Sequence, residues 1–244
     1  MVDFLQVMKE AFGRTKETLR RCPQALLIPF VLGIVAYFGR MVVNLLPIGG
    51  FLSGLLTYFL VIALLTVGYT TYEEVITLGR LPKKILWNQH FFSTLTCVFF
   101  AFAILDMALV QVGSLGVILP LIIAFALQTL PEEIYLGGGR QFDVFAQSFA
   151  RTRENYLHLW TPYLVYLILR NLLIHPGLWS VEADVMSLPL GVGAQIFQGS
   201  FHPYALRLIV ADLLTGCAMI FRGHLFQIIA KTTKRSRDYR RQWS

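Results

Sequence analysis

The stretch QALLIPFVLGIVAYFGRMVVNLLPIGGFLSGLLTYFLVIALLTVGYTT, residues 24–71, contains one charged residue, Arg40. It divides at Pro47-Ile48-Gly49-Gly50, a tight run of helix breakers. The apolar runs on either side, residues 24–46 and 49–71, are each close to the ~20 residues that cross ~30 Å of hydrocarbon at ~1.5 Å per residue. The stretch therefore reads as a membrane hairpin.

Four further apolar runs follow, at residues 91–112, 113–130, 156–175 and 204–230. The third and fourth meet at Gly113-Ser114-Leu115-Gly116, a second tight break. Of the 244 residues, 56% are hydrophobic and only 14% charged, against about 25% charged in soluble domains. With a mean hydropathy of +0.61, the chain lacks the polar surface needed to coat a water-soluble globule. The first apolar run follows a charged segment and exceeds the length of a signal-peptide core, so it is expected to remain as the first span.

Charge sets the orientation. Lys9, Arg14, Lys16, Arg20 and Arg21 precede the first run, and Arg80, Lys83 and Lys84 follow the second. Arg140, Arg151 and Arg153 follow the fourth, and Lys231, Lys234, Arg235, Arg237, Arg240 and Arg241 follow the sixth. The turns after runs one and three, and the segment 176–203 after run five, hold no Lys or Arg. This strict alternation predicts six spans with both termini cytoplasmic in a multi-pass cell-membrane protein. The net charge of +7 lies beside the apolar blocks, which favours anionic lipid headgroups as partners and argues against nucleic acid. The tail, residues 231–244, reads as a basic topology anchor.

Two echoes suggest internal repetition. Thr70-Thr71-Tyr72-Glu73-Glu74-Val75 ends run two, and Thr129-Leu130-Pro131-Glu132-Glu133-Ile134 ends run four, with Gly79 and Gly138 following at equal distances. Ala11-Phe12-Gly13-Arg14-Thr15-Lys16-Glu17 resembles Ser148-Phe149-Ala150-Arg151-Thr152-Arg153-Glu154. Phe4, Met8 and Phe12 share one helical face, as do Phe142, Phe145 and Phe149, so both segments read as amphipathic interfacial helices. A shorter version is expected over Leu81–Gln89. The fold class predicted is thus all-α: a polytopic transmembrane helical bundle of three repeated units, 1–78, 79–138 and 139–244. Each unit is an interfacial helix followed by a membrane hairpin, within a single integral membrane domain.

The fourth-run exit Leu130-Pro131-Glu132-Glu133-Ile134-Tyr135 and the run Phe145-Ala146-Gln147-Ser148-Phe149-Ala150-Arg151-Thr152-Arg153-Glu154-Asn155-Tyr156 together resemble the six-span membrane domain attached to some bacterial glycerophosphoryl diester phosphodiesterases, and related stand-alone bacterial membrane proteins. The resemblance covers most of the chain in layout and some 25 residues in motif. It implies a six-span membrane domain. The phosphodiesterase domain of the fused proteins has no counterpart here, so no hydrolase activity is implied.

Two sets of residues stand out as candidate sites. The acidic pairs Glu73/Glu74 and Glu132/Glu133 each follow a threonine at capping-box spacing, which predicts helix caps. The competing reading is a cytoplasmic cation or partner site. The second set is intramembrane: Arg40, Asp106, Arg170 and Asp212, expected at similar depth in the outer half of the bilayer. Charges there are costly and mark a pairing or a pathway. A structural ion-pair network competes with a polar site for a zwitterionic or anionic ligand. Arg222 and His224 are expected near the inner interface, where a long side chain snorkels.

Motifs for catalysis are lacking: the sequence has no nucleophile elbow, phosphate-binding glycine loop or zinc-protease helix. Three cysteines, Cys22, Cys97 and Cys217, make neither a disulfide framework nor a metal spacing. The sequence thus predicts a non-enzymatic integral membrane protein without cofactor or metal. It would act as a scaffold, accessory subunit or regulator, with membrane lipids and a membrane protein as partners. The alternative is a small transporter or channel-like protein using the outer polar site.

Overall fold

A computed structural model describes residues 4–84, 87–110, 115–174, 190 and 205–242. Among them the protein is all-helical, with no strand. The helices are α1 (Phe4–Arg21), α2 (Ile28–Leu45), α3 (Gly50–Leu78), α4 (Gln89–Val110), α5 (Leu115–Ala126), α6 (Leu130–Tyr135), α7 (Asp143–Glu154), α8 (Tyr156–Ile174) and α9 (Ala205–Gln242). A 3-10 turn, Pro23–Leu27, joins α1 to α2.

Among the described residues two helical stretches are long and apolar enough to cross a membrane, Pro23–Leu45 and Gly50–Leu78, and the part of α4 over Gln89–Leu105 is a shorter apolar stretch. Only 28% and 17% of the two spans' apolar windows are buried within the protein. The core helix of a soluble protein would be mostly covered. Here Val31, Val35, Phe38 and Val42 of α2, with Phe51, Leu52 and Leu55 of α3, stand exposed. The described part of α5 is 12 residues long, roughly 18 Å. In α8 the apolar run is diluted by His158, Arg170 and Asn171. The break expected at Gly113–Gly116 and the outer segment 176–203 fall largely outside the described residues.

The bundle is organised around α9, against which α1, the 3-10 turn, α2, α3, α6 and α8 all pack. Its 38 residues extend roughly 57 Å, so the basic tail continues the helix through Gln242. A close backbone approach is at Gly216, where a Cβ would stand 2.7 Å from the Leu26 carbonyl oxygen. Only glycine lets the 3-10 turn rest on α9 there.

The main core joins Ile62, Leu65, Tyr69 and Tyr72 of α3 with Leu95 and Val98 of α4, Ile134 and Tyr135 of α6, and Met219 and Ile220 of α9. Tyr69 and Tyr135 stack, with centroids 5.3 Å apart. Gly79 and Gly138, the glycines of the sequence echo, both adopt positive φ, +66° and +71°. Gly79 ends α3 in a left-handed cap whose N–H donates to the Val75 carbonyl.

Between Leu78 and Gln89 the described residues are turn and irregular chain. The interfacial helix expected over 81–89 is therefore not formed by them. Gly79 stops α3, and Pro82 lacks the N–H that helix continuation requires. α1 and α7 do form. They bury the same small face, Val7, Ala11 and Thr15 in α1 and Val144, Ser148 and Thr152 in α7. Phe12 and Phe149 are exposed.

Candidate functional site

Among the described residues the most concentrated buried charge lies around α6. Chain direction changes at Leu127–Thr129, and Pro131 sits in the first turn of α6, where its missing N–H costs nothing. All six residues of this short helix are buried. Glu132 and Glu133 thus enter the protein interior as adjacent carboxylates, 2% and 0% exposed. Such burial requires partners.

Each carboxylate has an arginine from a different helix. Arg222 of α9 meets Glu132 in a two-pronged contact, Nε to Oε1 at 2.8 Å and Nη2 to Oε2 at 2.9 Å. The same Nη2 donates to the Gln128 carbonyl. Arg151 of α7 meets Glu133, with Nε on Oε1 and Nη2 on Oε2. Both guanidinium groups also cover aromatic rings: Arg151 lies 4.5 Å from the centre of Phe226, and Arg222 lies 5.3 Å from that of Tyr163. Burial pushes the Glu133 carboxyl above the ordinary glutamate range, against the downward pull of Arg151.

The two pairs tie α6 to α7 and α9. Thr129 adds a hydroxyl cluster, its Oγ1 lying 3.0 Å from Ser148 Oγ and 3.4 Å from Thr152 Oγ1. Thr129 is the N-cap of α6 but makes no side-chain capping bond, so the expected cap is replaced by a bond between helices. A small cavity beside Arg222, about 10 Å³, is lined by Gln128, Thr129, Glu132 and Tyr163 and has room for about one water.

The first acidic pair has a different setting. Glu73 and Glu74 lie inside α3, half-buried, and make no ion pair among the described residues. Thr70 Oγ1 donates to the Thr66 carbonyl within the same helix, because α3 has no break at the position where Pro131 starts α6. Among the described residues no group of three or more His, Cys, Asp or Glu could hold a metal.

The four intramembrane candidates are distributed over four helices. Arg40 is exposed on α2, Arg170 is half-buried on α8, and Asp212 is fully buried on α9. Asp106 belongs to α4, and its side chain lies outside the described residues. Near Arg170, the Tyr166 hydroxyl of α8 lies 3.1 Å from Thr215 Oγ1 of α9.

Arg222 and Arg151 are the residues that sequence reasoning missed as site members. Arg222 does not snorkel; it turns inward to Glu132. The signal in the sequence was a pair of carboxylates beside an otherwise apolar run, which demands two cations from elsewhere. His224 likewise faces inward, its Nε2 2.9 Å from Thr18 Oγ1 of α1. Comparison with protein-family models, with curated proteins and with solved structures returned no match.

Proposed function

We propose that the chain is a non-catalytic integral membrane protein: a six-span bundle of three hairpin units, termini cytoplasmic, serving as a scaffold, accessory subunit or regulator of a membrane assembly. The observation that carries this reading is the mutual neutralisation of the buried charges around α6. Glu132, Glu133, Arg151 and Arg222 are engaged with one another and with aromatic rings. Groups committed in this way hold helices together and are poorly placed to bind and release a substrate.

Two further features support it. Large apolar side chains are exposed along α2, α3, α4, α8 and α9, among them Phe38, Phe51, Phe100, Leu172 and Leu206. Water would penalise that surface and acyl chains would not. In addition, α1 and α7, with the Phe142 that precedes α7, present Leu5, Phe12, Phe142 and Phe149 outward, in keeping with helices lying at an interface. The likeness of the 145–156 motif to six-span bacterial membrane domains points the same way. A transport reading draws on Asp212, fully buried in α9.

Two measurements on one preparation separate these readings. Proteoliposomes are expected to hold an imposed ion gradient as long as protein-free liposomes do. In native membranes, a photoreactive residue at Leu5 is expected to crosslink to one defined protein. Saturable flux abolished by Asp212→Asn would replace the scaffold reading with transport. Crosslinking to lipid alone would remove the protein partner.

A further inference from the structure

A groove beside the described helices lies between α5, α7 and α8 and measures about 650 Å³, within the ~300–1,000 Å³ of small-molecule sites. Its walls are almost wholly apolar, with Ile122 and Phe125 on one side and Trp160 and Leu164 on the other. The walls are tied together: Trp160 Nε1 donates to the Phe125 carbonyl at 3.3 Å, and the two rings lie 5.5 Å apart. Tyr156 continues the aromatic wall, its ring 5.9 Å from Trp160. At the end nearest α7 the lining includes Arg153, an exposed residue with no ion pair among the described residues.

The order of these groups is what matters. Arg153 stands on the last turn of α7, Tyr156 opens α8, and Trp160 and Leu164 follow at one-turn intervals. From Tyr156 to Leu164 is roughly 12 Å along the helix. The wall passes from cation, through aromatic rings suited to a membrane–water boundary, to hydrocarbon. A glycerophospholipid presents the same sequence of chemistry in phosphate, ester region and acyl chain.

We propose that this groove is a binding site for an anionic phospholipid, its phosphate on Arg153 and one acyl chain between α5 and α8. The assignment rests on the membrane reading above. Arg151, two residues away, is committed to Glu133. The neighbouring helix thus uses one arginine to hold the bundle and the next to face the lipid.

The test uses the full chain in nanodiscs of equal parts phosphatidylglycerol and phosphatidylcholine, with the lipids retained after release counted by native mass spectrometry. The wild-type protein is expected to retain phosphatidylglycerol preferentially, by about fivefold, the effect of ~1 kcal/mol for one basic residue at an anionic surface. Arg153→Gln should bring the ratio close to one, and Arg153→Lys should keep most of the preference. Ala126→Phe, which fills the groove without changing charge, should reduce retention of both lipids. Equal retention of the two lipids by the wild type would overturn the site and leave membrane insertion standing. So would a preference that survives Arg153→Gln, which would place it on the basic tail. A chain that does not enter nanodiscs and stays monodisperse in detergent-free buffer would overturn the membrane reading itself.

Discussion

Glu132 and Glu133 are neighbours in sequence whose side chains leave a helix about 100° apart, so one short helix addresses α9 with the first and α7 with the second. The Glu132–Arg222 pair is buried on both sides, its side chains 2% and 10% exposed. Removing one member leaves an uncompensated buried charge, which costs about 3–5 kcal/mol. Arg222→Gln is expected to lower the thermal midpoint in detergent clearly. The double change Glu132→Met with Arg222→Met is expected to cost less than the sum of the two single changes. Full additivity in that cycle would contradict a direct pair. Glu133 gives a pH signature. Its carboxyl is raised in the fold by burial, so the folded state holds its proton more tightly than the unfolded chain. Its contribution is greatest below the ordinary glutamate value and declines as pH rises through the raised one. Glu133→Gln should therefore flatten the slope of thermal midpoint against pH in that window, measured beside the wild type. The carboxylate pair was legible from spacing. Its partners were not, since Arg222 is 90 residues distant and one sequence does not reveal which side chains meet across a bundle.

At the scale of elements, the first hairpin was readable because apolar length and breakers coincide: the break at Pro47–Gly50 falls between α2 and α3. The same sequence echo had two outcomes because of one proline. Thr70 lies within an unbroken α3, whereas Pro131 permits a new helix and turns Thr129 toward α7. The buried faces of α1 and α7 were the less legible feature. Phenylalanine periodicity drew attention to a face that is only partly covered, with Phe12, Phe142 and Phe149 exposed and Met8 and Phe145 at the edges of the cores, while the fully packed face is made of small residues such as Ala11 and Ser148. Two glycines test this packing. At Gly13 of α1 the position a Cβ would take is open, with no neighbouring atom within 4 Å, so Gly13→Ala should stabilise by about 0.5–1 kcal/mol. Gly216→Ala would set a Cβ against the Leu26 backbone and should destabilise by about 1–3 kcal/mol. Equal thermal midpoints for the two variants would contradict the close seat of the 3-10 turn on α9.

For the whole molecule, the exposed apolar surface and the alternating cationic flanks are the basis of the proposed membrane reading, in which acyl chains cover the middle of the bundle and water its ends. The measurement that tests this most directly is labelling of single cysteines by an impermeant thiol reagent in sealed, oriented vesicles, with Cys22, Cys97 and Cys217 replaced by serine. Lys16→Cys before the first span should react only from the cytoplasmic side, and Ile48→Cys in the turn between α2 and α3 only from the opposite side. Val35→Cys, exposed on α2 at 45%, should stay unlabelled from both sides until detergent is added. Reaction of Val35→Cys in intact vesicles, or of Lys16→Cys and Ile48→Cys from the same side, would contradict the account.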